Sequence, residues 1–451
     1  MGDLFGTDGV RGKANTYPMT ADLTLSLGQA VGHVFKTELA NQDRVVAVIG
    51  KDTRKSGYIF EYALASGLCS VGVDVYLVGP MPTPSISHLT KSFAADLGIV
   101  ISASHNPASD NGIKIFDKGG YKLPDALEER IEAVLAAGVD TSDINGVNVG
   151  RTVRIDDAAG RYIEYTKGAI NNMSLSGLRV VLDCANGAAY KVAPLIFREL
   201  GAEVMVLNNK PNGTNINEEC GSTYPDVISD AVLKYRADIG VALDGDADRV
   251  IMVDEEGRNV DGDHIIAMCA LDMKSRGKLA HDTVVVTVMS NIGFDVAMRE
   301  SGINVVRTDV GDRHVVEEMR RGGYTLGGEQ SGHIIFLNRS TTGDGTLSAL
   351  HVLAMLKTGG QKMSELAKCM TSYPQVLRSV PVAEKRPLEE MPEVRQQIVV
   401  AEEQLGDDGR VLVRYSGTES KCRVMVEGPD QAEIEALADG IIEAISREIG
   451  A

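Results

Sequence analysis

The chain has 451 residues, with 45 Lys+Arg against 63 Asp+Glu and a formal net charge of −18. At roughly 150 residues per domain the length predicts about three domains, and 43 % hydrophobic with 24 % charged residues is a globular composition, not a disordered one. The acidity argues against nucleic acid and anionic membrane surfaces as partners, so an anionic ligand must be held by local clusters of donors.

The start, Met1 to Gly6, has no basic segment followed by an apolar run, and no apolar stretch approaches the ~18 residues that span a bilayer. Six cysteines are scattered without a C-x-x-C pair, which predicts free thiols in a reducing cytoplasm and neither a disulfide framework nor a zinc site.

In chain order, Val45–Ile49 reads as a buried strand, Tyr58 to Cys69 as a helix, Val73–Val78 as a second strand and Leu97–Ile101 as a third. The alternation resumes at Leu178–Leu182, Val204–Leu207 and Ile239–Leu243, and again at Val284–Val288, Asn304–Val306 and Ile334–Phe336. Strands alternating with helices predict βαβ units and a mostly parallel sheet in each round. The tail differs: Arg410–Arg414 and Cys422–Val426 read as strands joined by a tight loop, and Ile434, Leu437, Ile441, Ile442 and Ile445 mark one face of a final helix. The reading is therefore three similar mixed α/β sheet domains and a smaller α+β C-terminal domain, over 1–152, 153–252, 253–366 and 367–451.

Ligands of open α/β sheets bind beyond the carboxyl ends of strands, and each domain places one unusual polar loop there. The first is Ser102-Ala103-Ser104-His105-Asn106-Pro107 with Asn111-Gly112-Ile113-Lys114 behind it, where a serine beside His105 suggests an activated nucleophile. The second, Asp244-Gly245-Asp246-Ala247-Asp248-Arg249, crowds three carboxylates, which asks for a cation; Arg249 stands where an EF-hand needs glycine, so Mg²⁺ is the better reading. In the third, Gly327-Gly328-Glu329-Gln330-Ser331-Gly332-His333, glycines allow close ligand approach, and Glu329 and Ser331 can bracket vicinal hydroxyls; a flexible turn is the alternative. The fourth, Arg414-Tyr415-Ser416-Gly417-Thr418-Glu419-Ser420 with Arg423 beyond, offers a guanidinium, hydroxyls and exposed amides to a phosphate, or is a plain hairpin turn.

These four loops, in this order, resemble the α-D-phosphohexomutase family over essentially the whole chain. Phe5-Gly6-Thr7-Asp8-Gly9-Val10-Arg11-Gly12, Gly50-Lys51-Asp52-Thr53-Arg54 and Pro80-Met81-Pro82-Thr83-Pro84 are similar to further motifs of that family, and Gly-Glu-Gln-Ser-Gly-His with Arg-x-Ser-Gly-Thr-Glu resembles its amino-sugar branch. The resemblance implies domains arranged around one central cleft, a cytoplasmic enzyme and a homodimer. It implies that Ser104, not Ser102, carries a phosphoryl group in the active form. One Mg²⁺ per subunit would be held by Asp244, Asp246, Asp248 and the Ser104 phosphate. Glu329 and Ser331 would contact sugar hydroxyls, while Arg414, Ser416, Gly417, Thr418 and Arg423 would hold the non-reacting phosphate. His105, Lys114, Arg249 and His333 would line the reaction centre, with Lys114 and His333 as candidate proton acceptors and Arg11 on the substrate. The implied reaction is reversible interconversion of glucosamine 6-phosphate and glucosamine 1-phosphate through a 1,6-bisphosphate, feeding UDP-N-acetylglucosamine synthesis. A broad-specificity phosphomannomutase/phosphoglucomutase, a Mg²⁺-dependent phosphatase and a non-catalytic phosphosugar-binding protein are the competing expectations.

Overall fold

The computed structural model describes residues 4–6, 8–38, 44–415 and 420–450. They form two compact units, one from Met1–Val288 with Val306–Ala367, the other from Met289–Val305 with Lys368–Ala451.

The first unit opens with a six-stranded sheet ordered Val10–Lys13, Asp110–Asp117, Leu97–Ile101, Val46–Lys51, Asp74–Pro80, Thr152–Arg154. Its middle is parallel, and both Val46–Lys51 and Leu97–Ile101 are buried at every position, which is why they read as unbroken aliphatic runs. Asn111-Gly112-Ile113-Lys114, which follows the serine loop, is strand. Asp110–Asp117 is a strand that returns antiparallel to Leu97–Ile101, with Lys114 opposite Val100. Asn-Gly is a turn signal, but here Ile113 and Ile115 alternate into the hydrophobic core and leave Lys114 on the other face.

The second sheet runs Asn259–Val260, Val250–Asp254, Ile239–Leu243, Arg179–Asp183, Glu203–Leu207. Leu243 pairs with Val250, so Asp244–Arg249 is the closed end of an antiparallel hairpin. Thr283–Thr287 lies parallel to Leu326–Gly328, which pairs antiparallel with Ile334–Phe336. Gly327 and Gly328 are thus strand, not loop. A Cβ on Gly328 would lie 2.4 Å from the His333 carbonyl oxygen, so the hairpin over Glu329–His333 needs glycine there.

In the second unit the central strand Lys421–Glu427 is flanked antiparallel by Gln375–Pro381 and Arg410–Tyr415. Helix Gln431–Ile449 starts at Asp430, whose carboxylate accepts the Glu433 N–H, and Ile434, Ala438, Ile441 and Ile445 are buried. The helix spacing expected from sequence is the one observed. Segment 289–305, read as part of the third α/β round, carries helix Ile292–Glu300 in this unit; Asn291 ties it down by accepting the Tyr373 N–H. None of the six cysteines forms a disulfide. Among the described residues no helix is long and apolar enough to cross a membrane.

Candidate active site

Two tight loops of the first unit meet at Ser104. Ser104 is 1 % exposed and has φ +49°, a left-handed conformation unusual for a residue with a Cβ. Its Oγ donates to Asp244 Oδ2 at 2.6 Å, while His105 Nδ1 lies 3.5 Å away. On the facing loop, a Cβ at Gly245 would lie 2.6 Å from the Ser104 carbonyl oxygen, so glycine is what lets the backbones touch.

Oxygens of Asp244, Asp246 and Asp248 lie within 4.8 Å of one another, and all three residues are buried. Burial, then the charges of Asp248 and Asp246, pushes the Asp244 carboxyl well above its usual range. Asp246 Oδ1 and Asp248 Oδ1 are buried without a hydrogen-bond partner. Two orphaned carboxylate oxygens in a buried anionic cluster are what a hard divalent cation satisfies, so these residues fit Mg²⁺. The remaining oxygens are held: Thr83 Oγ1 donates to Asp246 Oδ2 at 2.7 Å, and Lys114 Nζ reaches Asp246 at 3.1 Å and Asp248 at 3.2 Å.

Lys114 is 1 % exposed. Burial alone would lower its pKa, but Asp246, Asp8 and Asp248 outweigh burial and hold the ammonium well above the usual lysine range. Asp8 links it onward: Asp8 pairs with Arg11, lies 3.3 Å from Lys114 and 2.5 Å from Lys122, and Lys122 is 2.7 Å from Asp312. Arg11 is thereby oriented by Asp8 on the strand beside Lys114.

Arg249 and His333 bridge their backbones, which brings the third loop to the aspartate hairpin. Burial disfavours the Arg249 charge, but Asp248, Asp244 and Glu329 overcome it and keep the guanidinium protonated. His333 Nε2 accepts the Gly343 N–H at 2.7 Å. Burial, then Arg249 and Arg11, lowers the His105 pKa and keeps that imidazole neutral. Glu329 is buried and accepts the Gly311 N–H at 3.1 Å, whereas Ser331 is exposed on the turn.

Sequence reasoning missed Ser102, Asp52, Arg54, Thr83, Asn217, Asp8 and Lys122 as contributors. Asp8, Asp52, Arg54 and Thr83 lay inside quoted motifs, which was the available signal. Nothing local marks Asn217, whose amide nonetheless donates to the Ser104 carbonyl at 2.8 Å.

In the second unit, Arg414 and Arg423 are direct partners on adjacent antiparallel strands. Ser416, Gly417 and Thr418 lie outside the described residues.

The chain matches all four domain families of phosphoglucomutase/phosphomannomutase: α/β/α domain I over residues 2–141, domain II over 160–257, domain III over 261–373 and the C-terminal domain over 377–444. It is 56 % identical over 452 residues to a phosphoglucosamine mutase of Pelobacter propionicus, covering 100 % of this chain and 99 % of that one. A phosphoglucosamine mutase of Syntrophotalea carbinolica is 56 % identical over 449 residues, covering 99 % and 98 %. A crystal structure of a phosphoglucomutase/phosphomannomutase family protein from Burkholderia thailandensis has the same fold, with TM-score 0.80, 24 % identity and 99 % of each chain covered. Aspergillus fumigatus N-acetylphosphoglucosamine mutase, solved with GlcNAc-6P and magnesium, shares the fold at TM-score 0.63 and 20 % identity, over 98 % of this chain and 95 % of that one. Four domains matched in order, and relatives more than half identical over the full length, place the chain in the phosphoglucomutase/phosphomannomutase family of mutases.

Proposed function

We propose that this chain is a phosphoglucosamine mutase, interconverting glucosamine 6-phosphate and glucosamine 1-phosphate by way of a phosphoryl group on Ser104. The observation that carries the reading is a buried serine hydroxyl seated 2.6 Å from one member of a buried aspartate triad. The amino-sugar choice is supported by full-length relatives of that name at 56 % identity.

Phosphoryl transfer depends on in-line positioning and charge neutralisation more than on covalent assistance. Ser104 Oγ passes its phosphoryl group to the free sugar hydroxyl: the serine O–P bond breaks as the sugar O–P bond forms, and the proton the hydroxyl gives up is balanced by the one Ser104 Oγ takes up, leaving a 1,6-bisphosphate and a free serine hydroxyl. After the sugar turns over, Ser104 Oγ takes back the other phosphate and releases the isomer. Asp244, Asp246, Asp248 and a phosphoryl oxygen on Ser104 would hold Mg²⁺, which when bound neutralises charge on the transferring group. Arg249 adds a second positive charge, kept protonated against burial by Asp248 and Asp244. Neutral His105 is able to hold or release a proton at Nδ1 beside Ser104 Oγ. Glu329 presents a fixed carboxylate to sugar hydroxyls, and Arg414 with Arg423 grips the non-reacting phosphate.

Incubation of the full chain with glucosamine 6-phosphate and Mg²⁺ should yield the 1-phosphate and a phosphoryl mass on the peptide containing Ser104. Release of inorganic phosphate without isomer would instead mean a phosphatase. Arg414→Ala should raise KM roughly tenfold, the equivalent of one charge-assisted hydrogen bond worth about 1.5 kcal/mol. An unchanged KM would remove Arg414 from the substrate.

A further inference from the structure

Ser102 sits two residues before Ser104, is 0 % exposed and uses its whole hydrogen-bonding capacity internally. Its hydroxyl donates to Asp52 Oδ2 at 2.5 Å, accepts the Ser104 N–H at 3.0 Å and accepts from Arg54 Nη1 at 3.4 Å. A serine hydroxyl has one proton and two lone pairs, so nothing remains for a substrate. The Ser104 carbonyl is held as firmly: Arg54 Nη2 donates to it at 3.1 Å and Asn217 Nδ2 at 2.8 Å. The same two side chains also donate to the Asn106 carbonyl, at 2.6 and 3.1 Å. Arg54 is itself 0 % exposed and ion-paired with Asp52.

Backbone N–H and C=O of one residue are thus pinned by three segments, around residues 52–54, 102 and 217. That residue has φ +49°. A left-handed serine persists only where its surroundings over-determine it, and release of either end lets the backbone relax and swings Oγ away from Asp244.

We propose that Ser102, oriented by Asp52, is a positioning residue that sets the left-handed backbone of Ser104 and so aims its Oγ for phosphoryl transfer. Asp52 accepts the Ser102 proton, which leaves a lone pair facing the Ser104 amide. The inference rests on the reading of Ser104 as the phosphoryl carrier, and it assigns a task to a neighbouring serine that touches no reacting atom.

The test compares wild type, Ser102→Ala, Ser102→Cys and Ser102→Thr as full chains, converting glucosamine 6-phosphate with Mg²⁺. Misplacing Ser104 should lower kcat about 30-fold or more in the alanine variant while KM stays within about twofold. Cysteine keeps the volume but offers only a weak sulfur acceptor, so it should lose kcat in the same direction. Threonine keeps the hydroxyl and should recover most of the rate. A merely structural serine would lower the melting temperature and leave kcat per folded molecule unchanged; alanine and cysteine variants within about threefold of wild type would overturn the proposal. Hydrogen exchange at the Ser104 amide supplies an arm that needs no substrate. Protection should fall at least tenfold in Ser102→Ala, and unchanged protection would overturn the proposal even if wild type fails to turn over glucosamine 6-phosphate, a failure that would count against the proposed activity instead.

Discussion

Ser104→Ala should abolish mutase turnover while leaving the fold and the aspartate cluster intact. The side chain contributes one strong hydrogen bond, Oγ to Asp244 Oδ2, so its removal is worth about 1 kcal/mol of stability. The left-handed backbone is retained, since Ser102, Arg54 and Asn217 hold main-chain atoms and not the hydroxyl. Catalysis has no such reserve. Without Oγ no phosphoryl group can be carried, and loss of a covalent carrier lowers kcat by about four orders of magnitude or more. Turnover of glucosamine 6-phosphate, together with a thermal melt and a Mn²⁺ titration, checks all three statements. A variant retaining a tenth of the wild-type rate would falsify Ser104 as the carrier, and a collapsed melt would show that the loop depends on its hydroxyl.

The parts of this site that were legible in the sequence are those whose chemistry is local. Asp244, Asp246 and Asp248 follow a strand at alternate positions, so the crowding of carboxylates is visible without a structure. The strands Leu97–Ile101 and Ile239–Leu243 are buried on both faces and stand out as aliphatic runs with the observed ends. What the sequence hides is decided by partners far along the chain. Lys114 is marked in sequence only by following the serine loop, yet its acids are Asp8, Asp246 and Asp248, the last two 132 and 134 residues away. Ser102 and Ser104 are chemically alike in sequence; Asp52, fifty residues upstream, separates the hydroxyl anchored inside the first sheet from the one aimed at Asp244. Asn217 lies in a stretch with no periodicity and becomes meaningful only once its amide meets two carbonyls of the serine loop.

The other large effect is expected at Lys114→Met, and it is one of stability before it is one of rate. Lys114 stands on the first sheet, while Asp246 and Asp248 stand on the hairpin of the second, so the ammonium joins two domains by charge. Methionine keeps much of the buried stem but leaves these carboxylates without their counter-ion. Breaking a buried pair in this way costs about 3–5 kcal/mol. Lys114 contributes to the depressed pKa values of Asp8 and Asp246, in each case against the raising effect of burial. A depressed carboxylate stabilises the fold above its unfolded pKa and loses that contribution as pH falls through the folded value. The deficit of the variant should therefore be largest at neutral pH and shrink as pH falls, first as the carboxyls that burial raises take up protons in the folded variant, then below about pH 4 as wild type loses its own contribution. A divalent cation offers the orphaned oxygens a replacement charge, and any ligand of the folded state alone stabilises it by mass action. Mg²⁺ should then raise the melting temperature of Lys114→Met by more than it raises that of wild type, where the ammonium repels the incoming ion. Chelator-treated protein gives the baseline, and unfolding in urea with and without Mg²⁺ measures the difference. If the variant is as stable as wild type in chelator, or if Mg²⁺ shifts both equally, Lys114 is not the counter-ion of the triad, and the charge balance at Ser104 must be sought in Arg249 alone.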